Sequence, residues 1–372
     1  LQKLPAAPGR SGTATGGMDG TPTEQQQDDP AAPLSAAAPA FGPALPEAAL
    51  RRIADILAAS KGIIGIGSPR ASLESNFALR SLVGPDNFYS GMASREQGIV
   101  SLIIDILRKG PARTPSLRDV QAADAVLILG EDVPNTAPLL ALAIRQAARN
   151  GQFSVAARMK VPRWDDAAVR NAGQDARSPV FIVTRDATGL DDIAATACRV
   201  APDDIAALGF AVAHEIDPNA PGPSDLPQEL MSLARTVSAA LRQAQQPLIV
   251  SGTGCHSTAV VQAAANIAWA LHAVGRSALL TSVVPECNTM GLGLMNARTL
   301  DEAVTVMQDG LADAAIILEN DLSRRLDPAA VDGLLGKAGT VIVIDHVMNP
   351  TAARADMVLP AATFAAPSGP PL

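Results

Sequence analysis

Short apolar runs alternate with amphipathic stretches along most of the chain. Ile53, Ile56 and Leu57 have the spacing of one helix face, and residues 99–107 carry an apolar stripe of the same period. Continuous runs of mainly Val, Ile and Leu predict strands at 62–67, 125–129, 180–183, 247–250, 278–280, 314–318, 341–344 and 357–359. Apolar strands separated by amphipathic helices predict parallel, Rossmann-like sheets covered by helices on both faces, which is an α/β fold.

Further helices are predicted between these strands. They cover residues 139–148, 230–241 and 260–274. After the first strand, the pattern predicts a helix with Ser68 as its N-cap, Pro69 at its first position, and Leu73 and Phe77 on one face. Residues 152–179 and 214–228 have no clear period and are expected to be long loops.

Residues 1–45 differ in kind from the rest of the chain. More than half of them are Pro, Gly or Ala, and a polar run of Gln and Asp lies among them. Such a segment buries too little apolar surface to offset the entropy of ordering it, so we expect a disordered linker.

Composition excludes several classes of function. The 372 residues carry a net charge of −8, which argues against a nucleic-acid partner. The longest apolar run, 205–213, is too short to span a bilayer, so no direct membrane insertion is expected. The chain does not begin with a secretory signal pattern. Its three cysteines are widely spaced without a Cys-x-x-Cys pair, which favours buried thiols in a reducing, cytoplasmic compartment over a metal or iron–sulfur site.

Four predicted strands end in turns that suit a small ligand. They contain Gly67 and Ser68, Gly130, Gly252 with Gly254, and the pair Asp345-His346. Glycine at such a turn lets the backbone approach a phosphate, and parallel sheets bind ligands at the carboxyl ends of their strands. No turn has a complete Gly-x-Gly-x-x-Gly or Walker pattern, so turn geometry alone is the competing interpretation.

No other cluster predicts chemistry. Cys255-His256 are adjacent residues that point in different directions, and His214-Glu215 lacks the second histidine of a zinc-protease helix. Paired carboxylates at 165–166, 191–192 and 203–204 are interpreted as helix-capping groups. We therefore expect no catalytic residue and no metal site.

Several stretches together carry a specific resemblance. They are 65–84 (beginning Gly-Ile-Gly-Ser-Pro-Arg), 124–138, 247–254 (Pro-Leu-Ile-Val-Ser-Gly-Thr-Gly), 285–291, 318–321 and 345–360. In this order they resemble the molybdopterin-oxidoreductase-like part of the G subunit of bacterial NADH-quinone oxidoreductases, the respiratory complex I family. The resemblance covers residues 46–364 and suggests that the chain is a fragment.

The resemblance implies a nested architecture. Residues 46–94 and 288–364 are expected to form one discontinuous α/β domain, with residues 95–287 as an inserted α/β domain and 365–372 as a tail. In the wider superfamily the crevice between these domains holds a molybdenum bis-pterin cofactor, often with a protein Cys, selenocysteine or Ser on the metal. Near the corresponding stretch, residues 91–96, only Ser90 or Ser94 is available.

The absence of that cysteine agrees with the resemblance, because the G subunit shares the fold of the molybdenum enzymes and lacks their cofactor. The implied function is a catalytically inert scaffold in the peripheral arm of an enzyme that passes electrons from NADH to quinone and pumps protons. Its partners would be other peripheral-arm subunits, at the cytoplasmic face of the inner membrane. The crevice turns would be vestigial, and the iron–sulfur clusters would belong to upstream domains.

Two alternatives stay open at this point. One is a molybdopterin-dependent oxidoreductase of the formate dehydrogenase kind. The other is a soluble nucleotide-binding α/β module that uses the turn at Gly252 and Gly254. The divergent ends of the chain are expected to reflect truncation or a shifted reading frame.

Overall fold

Two parallel five-stranded sheets organise the molecule, and a computed structural model describes residues 46–223 and 225–363. The first sheet has the order β10-β9-β8-β1-β2. Its strands are β1 Ile63–Ile66, β2 Phe88–Tyr89, β8 Ala314–Leu318, β9 Thr340–Asp345 and β10 Met357–Pro360. All of its pairings are parallel, with Gly65 of β1 opposite Phe88 on one side and Ile316 on the other.

The second sheet has the order β5-β4-β3-β6-β7. Its strands are β3 Ala125–Leu129, β4 Val180–Thr184, β5 Thr196–Arg199, β6 Pro247–Gly252 and β7 Leu279–Val283. In the second sheet the first strand in the chain, β3, is central, whereas in the first sheet β1 lies between β2 and the central strand β8. In both sheets the chain first extends to one side of this strand and later returns to its other side. Each sheet therefore has a switch point, where ligands bind in folds of this kind.

Helices fill the connections in the described part of the chain. They are α1 Pro46–Ala59, α2 Leu73–Val83, α3 Ser94–Lys109, α4 Leu117–Ala122, α5 Val133–Thr136, α6 Pro138–Ala148, α7 Asn150–Arg158, α8 Asp166–Gly173, α9 Pro202–Ile216, α10 Gln228–Gln243, α11 Thr258–Ala273, α12 Thr289–Gly293, α13 Leu300–Gln308 and α14 Pro328–Leu335. None of them has the length and apolar character needed to traverse a bilayer.

Alternate residues of β3 and of β1 pack into different cores, one on each face of the sheet. In β3, Leu127 and Leu129 pack with α9, α10 and α11, whereas Val126 and Ile128 pack with α4 and α6 on the other face. In the first sheet, Ile64 and Ile66 lie in a core with α13 and α14, and the opposite face packs on α2 and α3. The predicted α/β class, with helices on both faces of parallel sheets, is confirmed.

Three local predictions need correction. The helix after β1 begins at Leu73 rather than Pro69, because Ser72 is its N-cap and accepts a hydrogen bond from the Ser75 N–H. Phe77, predicted to lie on one helix face with Leu73, is 59% exposed. Residues 152–179, expected as a loop, contain most of α7 and all of α8, whose short lengths and few apolar positions hide their period. The expected loop at 214–228 begins after α9 ends at Ile216.

The strands of the two sheets come from separate parts of the chain. The first sheet takes strands from 63–89 and 314–360, and the second takes strands from 125–283. The domain boundaries at 94–95 and 287–288 stay a prediction. The predicted linker 1–45 and tail 365–372 lie outside the described residues.

Candidate functional site

The carboxyl ends of the two sheets meet along a crevice. The loop after β7 lies against the turn after β1, where the Asn288 N–H donates to the Pro69 carbonyl at 3.0 Å. Arg325, which follows β8, reaches across to Glu286, which follows β7. Because carboxyl ends of parallel strands are where such folds bind ligands, this crevice is the candidate site.

The turn at Gly67 and Ser68 is closed by protein groups. The Gly67 N–H donates to the Tyr89 carbonyl at 2.8 Å, and the Ser68 N–H donates to Oδ1 of Asn76 at 3.0 Å. Asn76 lies four residues into α2 and is fully buried. The Ser68 hydroxyl donates to the Glu319 carbonyl at 2.8 Å. The donors of this turn are therefore already used.

Asn320 fills the neighbouring gap between this turn and Gly91. Its side-chain amide donates to the carbonyls of Gly67 at 2.7 Å and Gly91 at 3.1 Å, and it is 1% exposed. A Cβ on Gly91, whose φ is +74°, would lie 2.0 Å from the Gly67 carbonyl oxygen. Only glycine fits a backbone that approaches this closely with a positive φ.

The second sheet brings the Gly130 and Gly254 turns together. The Gly254 N–H donates to Oε1 of Glu131 at 2.7 Å, and the Cys255 thiol donates to the Gly130 carbonyl at 3.2 Å. Gly130 has a φ of +76°, and a Cβ there would lie 2.6 Å from the Cys255 sulfur. Gly252 is the last residue of β6, paired with Val283 of β7. Both turns border a cavity of about 260 Å³.

Glu131 is a carboxyl group of this cavity whose pKa is shifted by burial. It is 2% exposed, and burial raises its pKa to about 7 although the Gly254 N–H opposes the shift. The nearby Asp132 charge adds to the rise. Glu131 already takes the Gly254 N–H, and its carboxylate repels a phosphate once it ionises above about pH 7, so the turn that most resembles a nucleotide site does not suit a phosphate.

The turn after β9 is closed by its own carboxylate. Oδ1 of Asp345 accepts the N–H groups of His346 at 2.7 Å and Val347 at 3.1 Å, and its other oxygen accepts from the Asn349 amide at 2.8 Å. Asp345 is 4% exposed. Like Asn76 and Glu131 at the other turns, this side chain takes the donors that a ligand would use.

Arg325 occupies the junction between the sheets. It binds Glu96 of α3 at 3.3 Å and also contacts Glu286, and the three side chains are 13%, 14% and 19% exposed respectively. Burial raises the pKa of Glu96, and the Arg325 charge opposes that rise. One guanidinium thus compensates two carboxylates from separate segments of the chain.

The other candidates from the sequence make separate hydrogen bonds. Ser90 donates to the Gln97 side chain at 2.6 Å, and Ser94 donates to the Asp301 carboxylate. The His256 carbonyl accepts from Arg95 at 2.9 Å, whereas His214 contacts the Ala220 carbonyl. Within residues 46–223 and 225–363, no group of three His, Cys, Asp or Glu side chains is arranged to hold a metal.

Two interpretations of single residues need correction. Cys198 and Cys255 are only half-buried and Cys287 is exposed, so the thiols are not all core groups. Asp165 caps α8 as expected, but Asp166 and Asp192 bind arginines rather than capping helices.

The sequence did not identify Asn320, Arg325 and Glu96 as residues of the site. Their partners are distant in sequence, so no local pattern marks them.

The sequence of this chain is similar to those of known proteins. A family profile described as molybdopterin oxidoreductase matches residues 213–366. Over 323 residues, 87% of the chain, it is 47% identical to the G subunit of NADH-quinone oxidoreductase from Escherichia coli strain K12, and equally to that from Pseudomonas putida KT2440. The chain is homologous to a segment of this G subunit. It spans 36% of the length of these relatives.

A solved structure supports the fold alone. A chain in the formyltransferase/hydrolase complex from Methylorubrum extorquens superposes with a TM-score of 0.57 at 18% identity, covering 86% of this chain and 84% of that one. The resemblance to the G subunit predicted from sequence stretches is confirmed.

Proposed function

We propose that this chain is a catalytically inert α/β scaffold within the peripheral arm of NADH-quinone oxidoreductase. The observation that carries the proposal is the 47% identity to the G subunit over 87% of the chain. The complex would pass electrons from NADH to quinone with proton pumping. This segment would support neighbouring domains and subunits without holding a redox centre of its own.

The crevice supports an inert role through its own hydrogen bonds. Asn76, Glu131 and Asp345 accept backbone N–H groups at three of the four turns. At a functional phosphate site those N–H groups point to the ligand. In this chain they are satisfied internally, so a ligand phosphate would have to displace a bond already made.

The charge of the crevice supports the same proposal. Two mostly buried carboxylates, Glu96 and Glu286, share Arg325, and the buried Glu131 lies at the Gly254 turn. A bis-pterin dinucleotide carries several phosphate charges, which buried carboxylates would oppose. The residues present therefore do not suit that cofactor.

Partners and location follow from the same proposal. Neighbouring peripheral-arm subunits would bind this chain, which would sit on the cytoplasmic side of the inner membrane through the complex. Iron–sulfur clusters would be carried by the preceding domains of the G subunit, not by residues 46–364. The absence of a membrane-traversing helix among the described residues is compatible with that arrangement.

Native gel migration tests the proposal directly. The chain would be tagged at its own locus, and membranes would be run with an in-gel NADH dehydrogenase stain. Co-migration of the tag with the large stained band is expected. A matched strain lacking the membrane arm should shift the tag out of that band. A small, unstained species in the parent strain would contradict assembly into the complex.

Cofactor analysis separates the scaffold from its alternatives. We expect no stoichiometric molybdenum or tungsten in the purified chain and no fluorescent oxidised pterin after denaturation. Stoichiometric metal with pterin would favour a molybdenum oxidoreductase. A thermal shift with NADH that disappears in Gly254→Val would instead favour a nucleotide-binding module.

A further inference from the structure

A basic pocket lies at the opposite end of the second sheet from the crevice. Its volume is about 350 Å³, and it is lined by Arg145 and Arg149 of α6 and its C-cap, Arg170 of α8 and Arg177. Arg177 precedes β4, and Ile193, which also lines the pocket, precedes β5. The pocket therefore opens at the amino ends of the strands and is separate from the ligand turns.

Two carboxylates hold three of the four arginines in place, and the fourth, Arg177, donates to the Asp192 backbone carbonyl. Asp192 binds Arg145 through two bonds of 2.8 and 2.9 Å. Asp166 accepts from both Arg149 and Arg170, which lowers the pKa of Asp166. Four guanidinium groups and two carboxylates leave a surplus of two positive charges, in a chain whose net charge is −8.

Most guanidinium donors remain available in this arrangement. Each guanidinium has about five N–H donors, and Arg177 uses one of them, to the Asp192 carbonyl at 2.9 Å. Arg149 and Arg170 make one bond each to Asp166. The pocket thus combines a concave surface with donors in the planar geometry that binds oxyanions in pairs.

Neighbouring contacts restrain the arginines before any ligand arrives. The Arg149 guanidinium lies 5.4 Å from the Phe153 ring centroid, and the Arg163 guanidinium lies 4.2 Å from the same ring. The two ion pairs restrain Arg145 and Arg170. Restrained donors cost less conformational entropy on binding, which favours recognition of a small, compact anion.

We propose that this pocket binds a phosphate group. A phosphate dianion matches the surplus of two positive charges, and its oxygens can accept from the four guanidinium groups that line the pocket. The phosphate can come from a soluble phosphorylated molecule or from a phospholipid headgroup. This site does not depend on the proposed scaffold function.

Calorimetric titration of the full chain with inorganic phosphate and pyrophosphate tests the site, at constant ionic strength set with chloride. We expect saturable binding that weakens at least about tenfold in Arg177→Gln, because charge-assisted hydrogen bonds are lost. Arg177 makes one hydrogen bond, to a backbone carbonyl, so this change leaves the three ion pairs of the pocket intact. Arg242→Gln, an exposed change on α10, is the matched control and should bind like the parent chain.

Vesicle binding distinguishes the two sources of phosphate. Phosphatidylcholine vesicles with and without phosphatidate would be compared, in the parent chain and in Arg177→Gln. Phosphatidate-dependent binding lost in Arg177→Gln supports the site with a lipid headgroup as ligand, and phosphate binding without vesicle binding supports it with a soluble ligand. Absence of saturable phosphate binding overturns the proposal, as does equal loss in Arg177→Gln and Arg242→Gln. Binding of an acidic peptide but not of phosphate also overturns it. If Arg177→Gln fails to fold, Arg170→Gln replaces it.

Discussion

Among single residues, Glu131 couples the crevice to pH. Its pKa is raised to about 7 from the ordinary 4.5, mainly by burial. Between these values the folded chain keeps a proton that the unfolded chain has lost. Stability from this group therefore falls as pH rises from about 4.5 to about 7, and the full penalty remains above that window.

The Glu131→Gln variant should remove that dependence. Glutamine keeps an oxygen for the Gly254 N–H but cannot ionise. We expect similar stability to the parent chain near pH 5 and up to about 3 kcal/mol more at pH 8. Urea unfolding at several pH values measures the difference. Parallel curves for the two proteins would show that Glu131 ionises without penalty.

The three thiols should differ in reactivity. Burial raises the pKa of Cys198 and Cys255, whereas Cys287 is exposed. Because the thiolate is the reactive form, iodoacetamide at pH 7.5 should modify Cys287 several-fold faster than the other two. Peptide mass spectrometry reports the order, and the denatured chain, in which all three are equally accessible, is the control. Faster labelling of Cys255 would mean that its turn opens.

Among the elements, the connection from β2 to α3 depends on Gly91. The backbones of Gly67 and Gly91 approach so closely that Asn320 binds both carbonyls. Gly310, after α13, also has a positive φ, but nothing lies within 4 Å of a Cβ placed there. The two glycines therefore share a backbone requirement and differ in the space available.

Alanine substitution at both positions separates those two effects. Gly310→Ala should cost about 1–2 kcal/mol, because an L-residue is strained at that φ. Gly91→Ala should cost about 1–3 kcal/mol more, since the added carbon clashes with the Gly67 carbonyl. Chemical unfolding measures both. Equal costs would show that the turn relaxes around the new side chain.

Helices and strands were predicted correctly where apolar runs were continuous. The prediction failed where tertiary contacts determine where an element begins or ends. Strand β3 was predicted at its observed bounds because every residue in it is buried. The two residues of β2 give no periodic signal, and β5 is an edge strand with partly exposed residues. Ser68 has the residue type of an N-cap, but Asn76 binds its N–H and α2 begins after Ser72.

For the whole molecule, the sequence predicted the positions of the crevice turns but not the side chains that bind their N–H groups. Gly130 and Gly254 were predicted as separate turns, and the structure brings them to one cavity. Arg325 and Glu96 are 229 residues apart along the chain, so their pairing has no local signal. Glycine turns can be predicted from sequence because they require one residue type. A buried ion pair cannot, because it depends on which distant segments the fold brings together.

The Arg325 cluster holds the two sheets against each other. Arg325→Met should cost about 3–5 kcal/mol, because it leaves the carboxylates of Glu96 and Glu286 unpaired in a mostly buried site. Arg51→Met is the matched control, since Arg51 and its partner are 82% and 88% exposed, and it should cost less than about 1 kcal/mol. Urea unfolding measures both changes.

Neutralising the carboxylates tests whether charge, rather than packing, causes the loss. Glu96→Gln and Glu286→Gln, added to Arg325→Met, remove the uncompensated charges while keeping side-chain volume. We expect the triple variant to recover much of the lost stability. Hydrogen exchange should then show that the backbone amides of both sheets are protected again. The loop after β7 reports contact between the sheets. A triple variant no more stable than Arg325→Met would mean that contacts of the arginine other than its ion pairs supply the stabilisation.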